Sequence, residues 1–122
     1  MLNGDLGMTM DAAFRVLADR RRRYVLYHLR DEERVTTLDA LTESVTRWER
    51  TDGDADVDAE RIAVSLVHNH LPKLEENGAV EYDRRQGDVV TAERFDELVS
   101  ILELVDEGDR DGATTDAEQP SR

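Results

Sequence analysis

Residues 58–91 read DAERIAVSLVHNHLPKLEENGAVEYDRRQGDVVT, and this stretch decides the fold. Asp58 suits the position before a helix, and Asn77-Gly78 suits the left-handed residue that ends one. The second half predicts a β-hairpin, with strands at 79–83 and 88–91 around the turn at 84–87. The first half predicts an amphipathic helix, because its buried face has the spacing i, i+3, i+4, i+7, i+8, i+11 in Ala63, Leu66, Val67, His70, Leu71 and Leu74.

Three helices are predicted upstream of this stretch and one downstream of it. Thr9 and Asp19 are suitable N-caps for a short first helix and for a second helix over about 20–30. Thr36 opens a T-x-x-D capping box for the third helix, and residues 34–36 just before it form a candidate short strand. A last helix carries an apolar face made of Phe95, Leu98, Val99, Leu102 and Val105.

The predicted order is helix, helix, short strand, helix, helix, hairpin, helix. Two connected helices followed by a two-stranded hairpin form a winged helix-turn-helix, so we expect a mostly α domain of the α+β class. The predicted organisation is a flexible N-terminus at 1–8, a winged-helix domain at 9–106 and a disordered acidic tail at 107–122. Within the domain, the wing lies at about 79–91 and the C-terminal helix at about 92–106.

Composition narrows the possible functions. The 122 residues include 16 Lys+Arg against 29 Asp+Glu, a net charge of −13, and no cysteine. Disulfides, thiolate catalysis and cysteine-ligated metals are therefore excluded. No apolar run approaches the roughly 18 residues of a membrane helix, and the first residues lack the pattern of a signal peptide. We expect a cytoplasmic protein with no membrane partner.

The cations are unusual in kind, since Lys73 is the only lysine and the rest are arginines. Strongly acidic, lysine-poor chains resemble those of extremely halophilic archaea. Multimolar salt shortens the Debye length to a few Å, so self-repulsion costs little there. A proteome-wide acidic bias also weakens the usual inference from net negative charge against a nucleic-acid partner.

Two segments carry a family resemblance. Residues 17–29, LADRRRRYVLYHL, resemble the second helix of winged-helix regulators of the ArsR type, and residues 70–80, HLPKLEENGAV, resemble the end of their recognition helix. The resemblance is closest to small haloarchaeal winged-helix domains, covers roughly residues 10–91, and implies a DNA-binding transcriptional regulator. Pro72 departs from the pattern because it removes a backbone donor inside the helix. The metal-sensing cysteines are missing, so metal sensing is not implied.

The candidate recognition helix spans about 58–77, and its partner is expected to be double-stranded DNA. Arginine and asparagine can pair with guanine and adenine edges, whereas serine, histidine and lysine can also bind phosphates. An ordinary solvated helix face and a solvated turn remain alternatives for the same residues. The candidate DNA-binding residues are Arg61, Ser65, His68, Asn69 and Lys73 on the helix, with Arg84 and Arg85 at the wing tip.

Two charged segments leave the function open. The block at 20–23, four consecutive arginines, could clamp phosphate or could pair with nearby acidic residues, and we favour structural pairing for at least two of the four. Five carboxylates lie where a recognition helix would enter the groove, and they favour a protein–protein interaction module as the alternative function. They are Asp52, Asp54, Asp56, Asp58 and Glu60.

No catalytic constellation is visible in the sequence. His68 and His70 diverge by about 200° on a helix and cannot share an ion, and His70 falls on the buried face. We therefore expect no enzyme activity, no metal and no cofactor. The apolar face of the last helix exceeds what so small a core needs. A homodimer is therefore predicted through that helix, with the first helix as a second candidate part of the interface and Phe95, Leu98 and Leu102 as the seam.

Overall fold

The computed structural model describes residues 8–113, and the predicted element order is confirmed there. Helix α4 runs through three consecutive segments, Ala59–Ser65, Leu66–His70 and Leu71–Glu76. The other elements, in chain order, are α1 (Met10–Leu17), α2 (Arg20–Asp31), β1 (Val35–Thr37), α3 (Leu38–Thr51), β2 (Val80–Asp83), β3 (Asp88–Thr91) and α5 (Phe95–Ala113). This is a mostly α member of the α+β class with winged-helix topology.

The three strands form one antiparallel sheet in the order β1-β3-β2. Strand β3 is central, because it pairs with β1 through Val35 and Val90 and with β2 through Tyr82 and Val89. The β2–β3 hairpin is the predicted wing. Its turn ends at Gly87, whose φ of +81° lies in the left-handed region that favours glycine. The candidate strand at 34–36 is confirmed as β1, which lies one residue later at Val35–Thr37 and pairs with β3.

The cap of α3 differs from the prediction by one residue. Thr37 is the N-cap, and its Oγ1 accepts a hydrogen bond of 3.1 Å from the backbone N of Ala40. Thr36 is instead buried in β1, where its hydroxyl lies 3.1 Å from Nε2 of His28. Strand pairing takes Thr36 into the core, so the neighbouring threonine serves the helix. The predicted caps Thr9, Asp19 and Asp58 are confirmed.

The core lies between α1, α2, α3, α4, the inner face of the sheet and α5. Leu66, Leu71 and His70 are buried, as the helical spacing predicts. The predicted dimer seam is wrong in its residues, because Phe95, Leu98 and Leu102 are each at most 1% exposed within a single chain. An apolar helix face of this length suits either a dimer or a core, and here it completes the protomer's own core.

Pro72 explains an irregularity in α4. Proline has no N–H, and its ring clashes with the carbonyl four residues earlier, which here belongs to His68. The chain relieves this conflict with a wider turn over Leu66–His70, where the backbone N–H of Leu71 donates to the carbonyl of Leu66 five residues earlier. Such a turn inserts an extra residue into the helical repeat. Because of this extra residue, a regular helical repeat does not predict which side chains before and after the turn share a face of α4.

The boundaries of the domain differ slightly from the prediction. Met8 belongs to the predicted N-terminal lead-in, but it packs against the core, and its backbone N donates to Glu97 at 3.2 Å. Helix α5 begins at Phe95, three residues after the predicted start, and ends at Ala113, within the segment predicted as tail. The rest of the predicted flexible N-terminus, 1–7, and of the predicted tail, 114–122, lies outside the described residues.

Candidate nucleic-acid interface

Helix α4 exposes four of its five predicted site residues. Arg61 is the most open of them, with 88% of its side chain exposed and only a 4.0 Å approach to Asp58. His68 and Asn69 are also exposed, and Lys73 lies 3.5 Å from Glu76 on the same helix. All four can therefore meet a ligand from solvent. Val64 is also exposed on this helix, by 57%, and the sequence reasoning did not include it.

Ser65 differs from the other four predicted residues because its hydroxyl is bonded within the protein. Its hydroxyl donates to the carbonyl of Ile62 at 2.9 Å and accepts from Nη1 of Arg21 at 3.0 Å. The hydroxyl is thus occupied by the protein itself, on the side of α4 that faces α2. The structure gives Ser65 a structural role on this side of the helix, and its contact with DNA stays a prediction.

Arg21 joins three helices. Its Nε and Nη2 donate to the two carboxylate oxygens of Glu49 on α3, at 2.6 and 3.0 Å, while Nη1 reaches Ser65 on α4. Glu49 is 1% exposed, so its negative charge depends on this bidentate partner. The same hydrogen bonds to Glu49 raise the pKa of Arg21 above its ordinary value. We call this cluster of Arg21, Glu49 and Ser65 the joint. The joint fixes the positions of α3 and α4 relative to α2, and it therefore fixes the helix-turn-helix geometry.

Two other arginines of the 20–23 block, Arg22 and Arg23, also have structural partners. Arg22 donates to the carbonyls of Val16 and Arg15, at 2.7 and 3.0 Å, and Arg23 donates to the carbonyl of Leu17 at 2.5 Å. These carbonyls lie in the last turn of α1, where the backbone acceptors of a helix have no partners within the helix. Structural use of at least two of the four arginines is therefore confirmed. Their partners are backbone carbonyls and the buried Glu49, and not the nearby surface acids that the sequence suggests.

The wing carries both predicted arginines on exposed positions. Arg84 stacks over the ring of Tyr82, 5.0 Å from its centroid, and pairs with Glu75 of α4 at 3.1 Å. Arg85 lies at the turn, where its backbone N donates to Asp83, and its guanidinium forms no ion pair among the described residues. Arg85 is therefore the more available of the two cations for an anionic ligand.

The connection between α3 and α4 is strongly acidic and open to solvent. Asp52, Asp54, Asp56 and Asp58 in this connection are exposed, as is Glu60 in the first turn of α4. Asp58 has a local role, since its Oδ1 accepts from the backbone N of Glu60 at 2.9 Å and so caps α4. The remaining carboxylates place negative charge beside the N-terminus of the candidate recognition helix.

His70 is a buried neutral histidine beneath the candidate interface. A guanidinium only donates, so Nη1 of Arg22, 3.3 Å from Nδ1 of His70, requires Nδ1 to be unprotonated. Nε2 then carries the proton and lies 3.9 Å from Asp19. Burial lowers the pKa of His70, the nearby charges of Arg22 and Arg21 act in the same direction, and Asp19 opposes them.

The lowered pKa of His70 predicts a pH dependence of stability. Below the ordinary histidine pKa of about 6.5, the unfolded chain binds a proton that the folded chain resists. The free energy of unfolding therefore falls as pH decreases from about 6.5, with a slope of up to about 1.4 kcal/mol per pH unit from this group. We expect His70→Gln to reduce the measured slope in urea titrations between about pH 5 and 6.5. His68→Gln is the matched control on an exposed histidine, and equal slopes in both variants would contradict the prediction.

Within residues 8–113, no helix combines the length and the apolar character needed to cross a membrane. A winged-helix domain is the class that this fold defines. The chain belongs to the DUF7344 family, a domain of unknown function, whose family model matches residues 14–90. The matched segment contains the helix-turn-helix and most of the wing. No curated protein and no solved structure matches the chain.

Proposed function

We propose that this chain is a DNA-binding regulator of transcription that acts in the cytoplasm of a halophilic archaeon. The observation that supports it best is the exposure of Arg61, His68 and Asn69 along the helix that follows the helix-turn-helix connection. In winged-helix proteins this helix enters the major groove and the wing contacts the neighbouring backbone. The resemblance of residues 17–29 and 70–80 to ArsR-type regulators supports the same function.

The exposed residues divide into two roles. Asn69 and His68 lie on the helix, where an amide can bind an adenine edge bidentately and so contribute sequence preference. Arg85, with Arg84 beside it, is suited to phosphate contact, which adds affinity without sequence preference. Because Arg84 already pairs with Glu75, its contribution to DNA binding is expected to be smaller than that of Arg85.

These roles predict different effects on binding. Asn69→Ala is expected to cost about 1–3 kcal/mol on the preferred site and to relax preference at one base position. Replacing Arg84 and Arg85 with alanine is expected to weaken all sequences alike and to flatten the salt slope by roughly one to two units. Binding isotherms over a KCl series, on the preferred and on a scrambled duplex, measure both effects.

Ser65 supplies the control for the DNA experiment. Because its hydroxyl is bonded to Arg21 and Ile62, Ser65→Ala is expected to leave base preference unchanged even if stability falls. Unchanged affinity in both the Asn69 and the double arginine variants would exclude this face from DNA binding.

A protein-interaction module is the second candidate function. The exposed Val64 on α4 and the acidic connection that precedes α4 favour a basic protein surface over phosphate. Neutralising Asp52, Asp54 and Asp56 to asparagine separates the two candidates. If the connection faces DNA, these substitutions tighten non-specific binding, whereas a protein-only module binds duplex DNA neither before nor after them.

We also propose that the chain forms a homodimer through α5, with a corrected set of contact residues. Leu104 and Val105 are exposed on α5 by 67% and 39%, and Met10 and Phe14 are exposed on α1 by 52% and 48%. Helices α1 and α5 pack against each other. Exposed apolar side chains on adjoining helices are a feature of protein–protein contact surfaces.

The corrected surface predicts where a charge separates the protomers. Leu104→Asp is expected to convert dimers to monomers while leaving the melting temperature of the protomer fold nearly unchanged. Light scattering in concentrated KCl measures the mass of the particles. The control is Val64→Asp, which introduces the same charge at an exposed apolar position on α4. A wild-type chain that is already monomeric at high concentration would remove the proposal.

A further inference from the structure

Val64 is an apolar side chain on the solvent face of α4. It belongs to the regular helical segment Ala59–Ser65 and lies two residues after Ile62, which is fully buried. Because residues two apart differ by about 200° around an α-helix, Val64 points away from the core. Its 57% exposure agrees with that direction.

The residues on either side of Val64 define the direction of this face. Ala63 lines the groove between α3 and α4, and the hydroxyl of Ser65 accepts from Arg21 of α2. Ala63 therefore faces α3 and Ser65 faces α2, so Val64 lies on the side of α4 that these two helices leave uncovered. In helix-turn-helix proteins, the N-terminal residues of the recognition helix contact base edges, and Val64 lies in the N-terminal half of α4.

The neighbours of Val64 on this face are polar. Arg61 and Glu60 lie one turn earlier, Arg61 with 88% of its side chain exposed and Glu60 also exposed. Val64 is the only large apolar side chain of α4 that is exposed. A protein contact surface usually presents a contiguous apolar patch, whereas the edge of a base pair presents donors and acceptors and, at thymine, a single methyl group. One valine beside an arginine and a glutamate matches the second pattern.

We propose that Val64 contacts the 5-methyl group of a thymine in the preferred DNA site and makes α4 selective for thymine at that position. The methyl groups of valine and thymine leave water when they meet, and cytosine has no methyl group there. The inference rests on the proposed DNA-binding function, to which it adds a residue that determines specificity and the base that this residue contacts.

Arg61 defines the sequence around this thymine. An arginine at the base edges donates bidentately to guanine. Side chains at i and i+3 have Cβ atoms about 5–6 Å apart, and successive base pairs are separated by about 3.4 Å. We therefore expect the thymine at Val64 and a guanine at Arg61 to lie within about two base-pair steps of each other.

The test removes the methyl group from the DNA. Selection from random duplexes by the full chain in concentrated KCl defines the preferred site. Each thymine of that site is then replaced singly by deoxyuridine, which keeps the base pair and lacks only the 5-methyl group. At one position this replacement is expected to weaken binding about fourfold, the effect of losing the burial of one methyl-sized group.

Protein variants on the same duplexes identify the side chain that meets the methyl group. In Val64→Ala, the thymine and uracil duplexes are expected to bind equally, because the shortened side chain no longer reaches the base. Val64→Ile keeps the branched side chain and is expected to keep the difference. Val35→Ala is the matched control at a valine of 62% exposure on β1, and it is expected to keep the fourfold difference. Circular dichroism melting establishes that each variant is folded.

The outcomes separate this contact from the proposed function. A preferred site that contains no thymine, or that tolerates uracil at every thymine, would overturn the contact while DNA binding stands. A uracil effect that persists in Val64→Ala would assign the methyl group to another residue and would also overturn it. If selection enriches no sequence at all, sequence-specific DNA binding fails and the contact fails with it.

Discussion

Arg21→Ala is expected to lower the free energy of unfolding by about 3–5 kcal/mol, because it leaves the buried carboxylate of Glu49 without its bidentate partner. Removing one member of a buried ion pair is costly, since the remaining charge stays desolvated. The loss also releases Ser65 and so loosens the joint between α2, α3 and α4. Urea unfolding at constant KCl measures the change.

Two variants make this result specific to the joint. Arg20→Ala removes the neighbouring arginine, which is exposed and lies over the ring of Tyr24, and is expected to cost under about 1 kcal/mol. Combining Arg21→Met with Glu49→Leu removes both charges and is expected to recover much of the loss. If Arg21→Ala costs no more than Arg20→Ala, the ion pair does not stabilise the domain.

Leu71→Ala is expected to cost about 2–5 kcal/mol, because the side chain is fully buried and its removal leaves a cavity. Leu66→Ala is expected to cost a similar amount, because the fully buried Leu66 begins the irregular turn. Val64→Ala is the matched control on the same helix, and its 57% exposure predicts a change within about 0.5 kcal/mol. Thermal or urea unfolding in concentrated KCl compares the three.

Equal stability of the Leu71 and Val64 variants would mean that the register of α4 differs from the one described. The comparison is sharp because both substitutions remove apolar groups from a helix of the same chain. Leucine loses one more carbon than valine does, but the two positions differ chiefly in burial.

Local patterns in the sequence predict much of this fold. The spacing of Leu66, His70 and Leu71 identifies the buried face of α4, since helix periodicity and burial follow the same repeat. The residues at 84–87 identify the hairpin turn, because Gly87 takes the left-handed backbone conformation. Both are signals that a short window of sequence contains.

The candidate site was predicted less completely, and Ser65 shows why. Its partner Arg21 is 44 residues away, and no local pattern indicates a pairing over that distance. Pro72 is a sequence signal for an irregular turn in α4. It does not predict which side chains face solvent on either side of that turn. Leu98 illustrates a third limit, since an apolar helix face is the same in a core and in a dimer contact.

The central position of β3 has a consequence for how the domain opens. Val35 pairs with Val90, 55 residues later, and the backbone N of Leu38 donates to the carbonyl of Gly87 at 2.8 Å. The whole helix-turn-helix therefore lies within a loop whose two ends are hydrogen-bonded together. We expect α3, α4 and the wing to behave as one cooperative unit in amide hydrogen exchange, with the protection of β3 matching that of the buried helices.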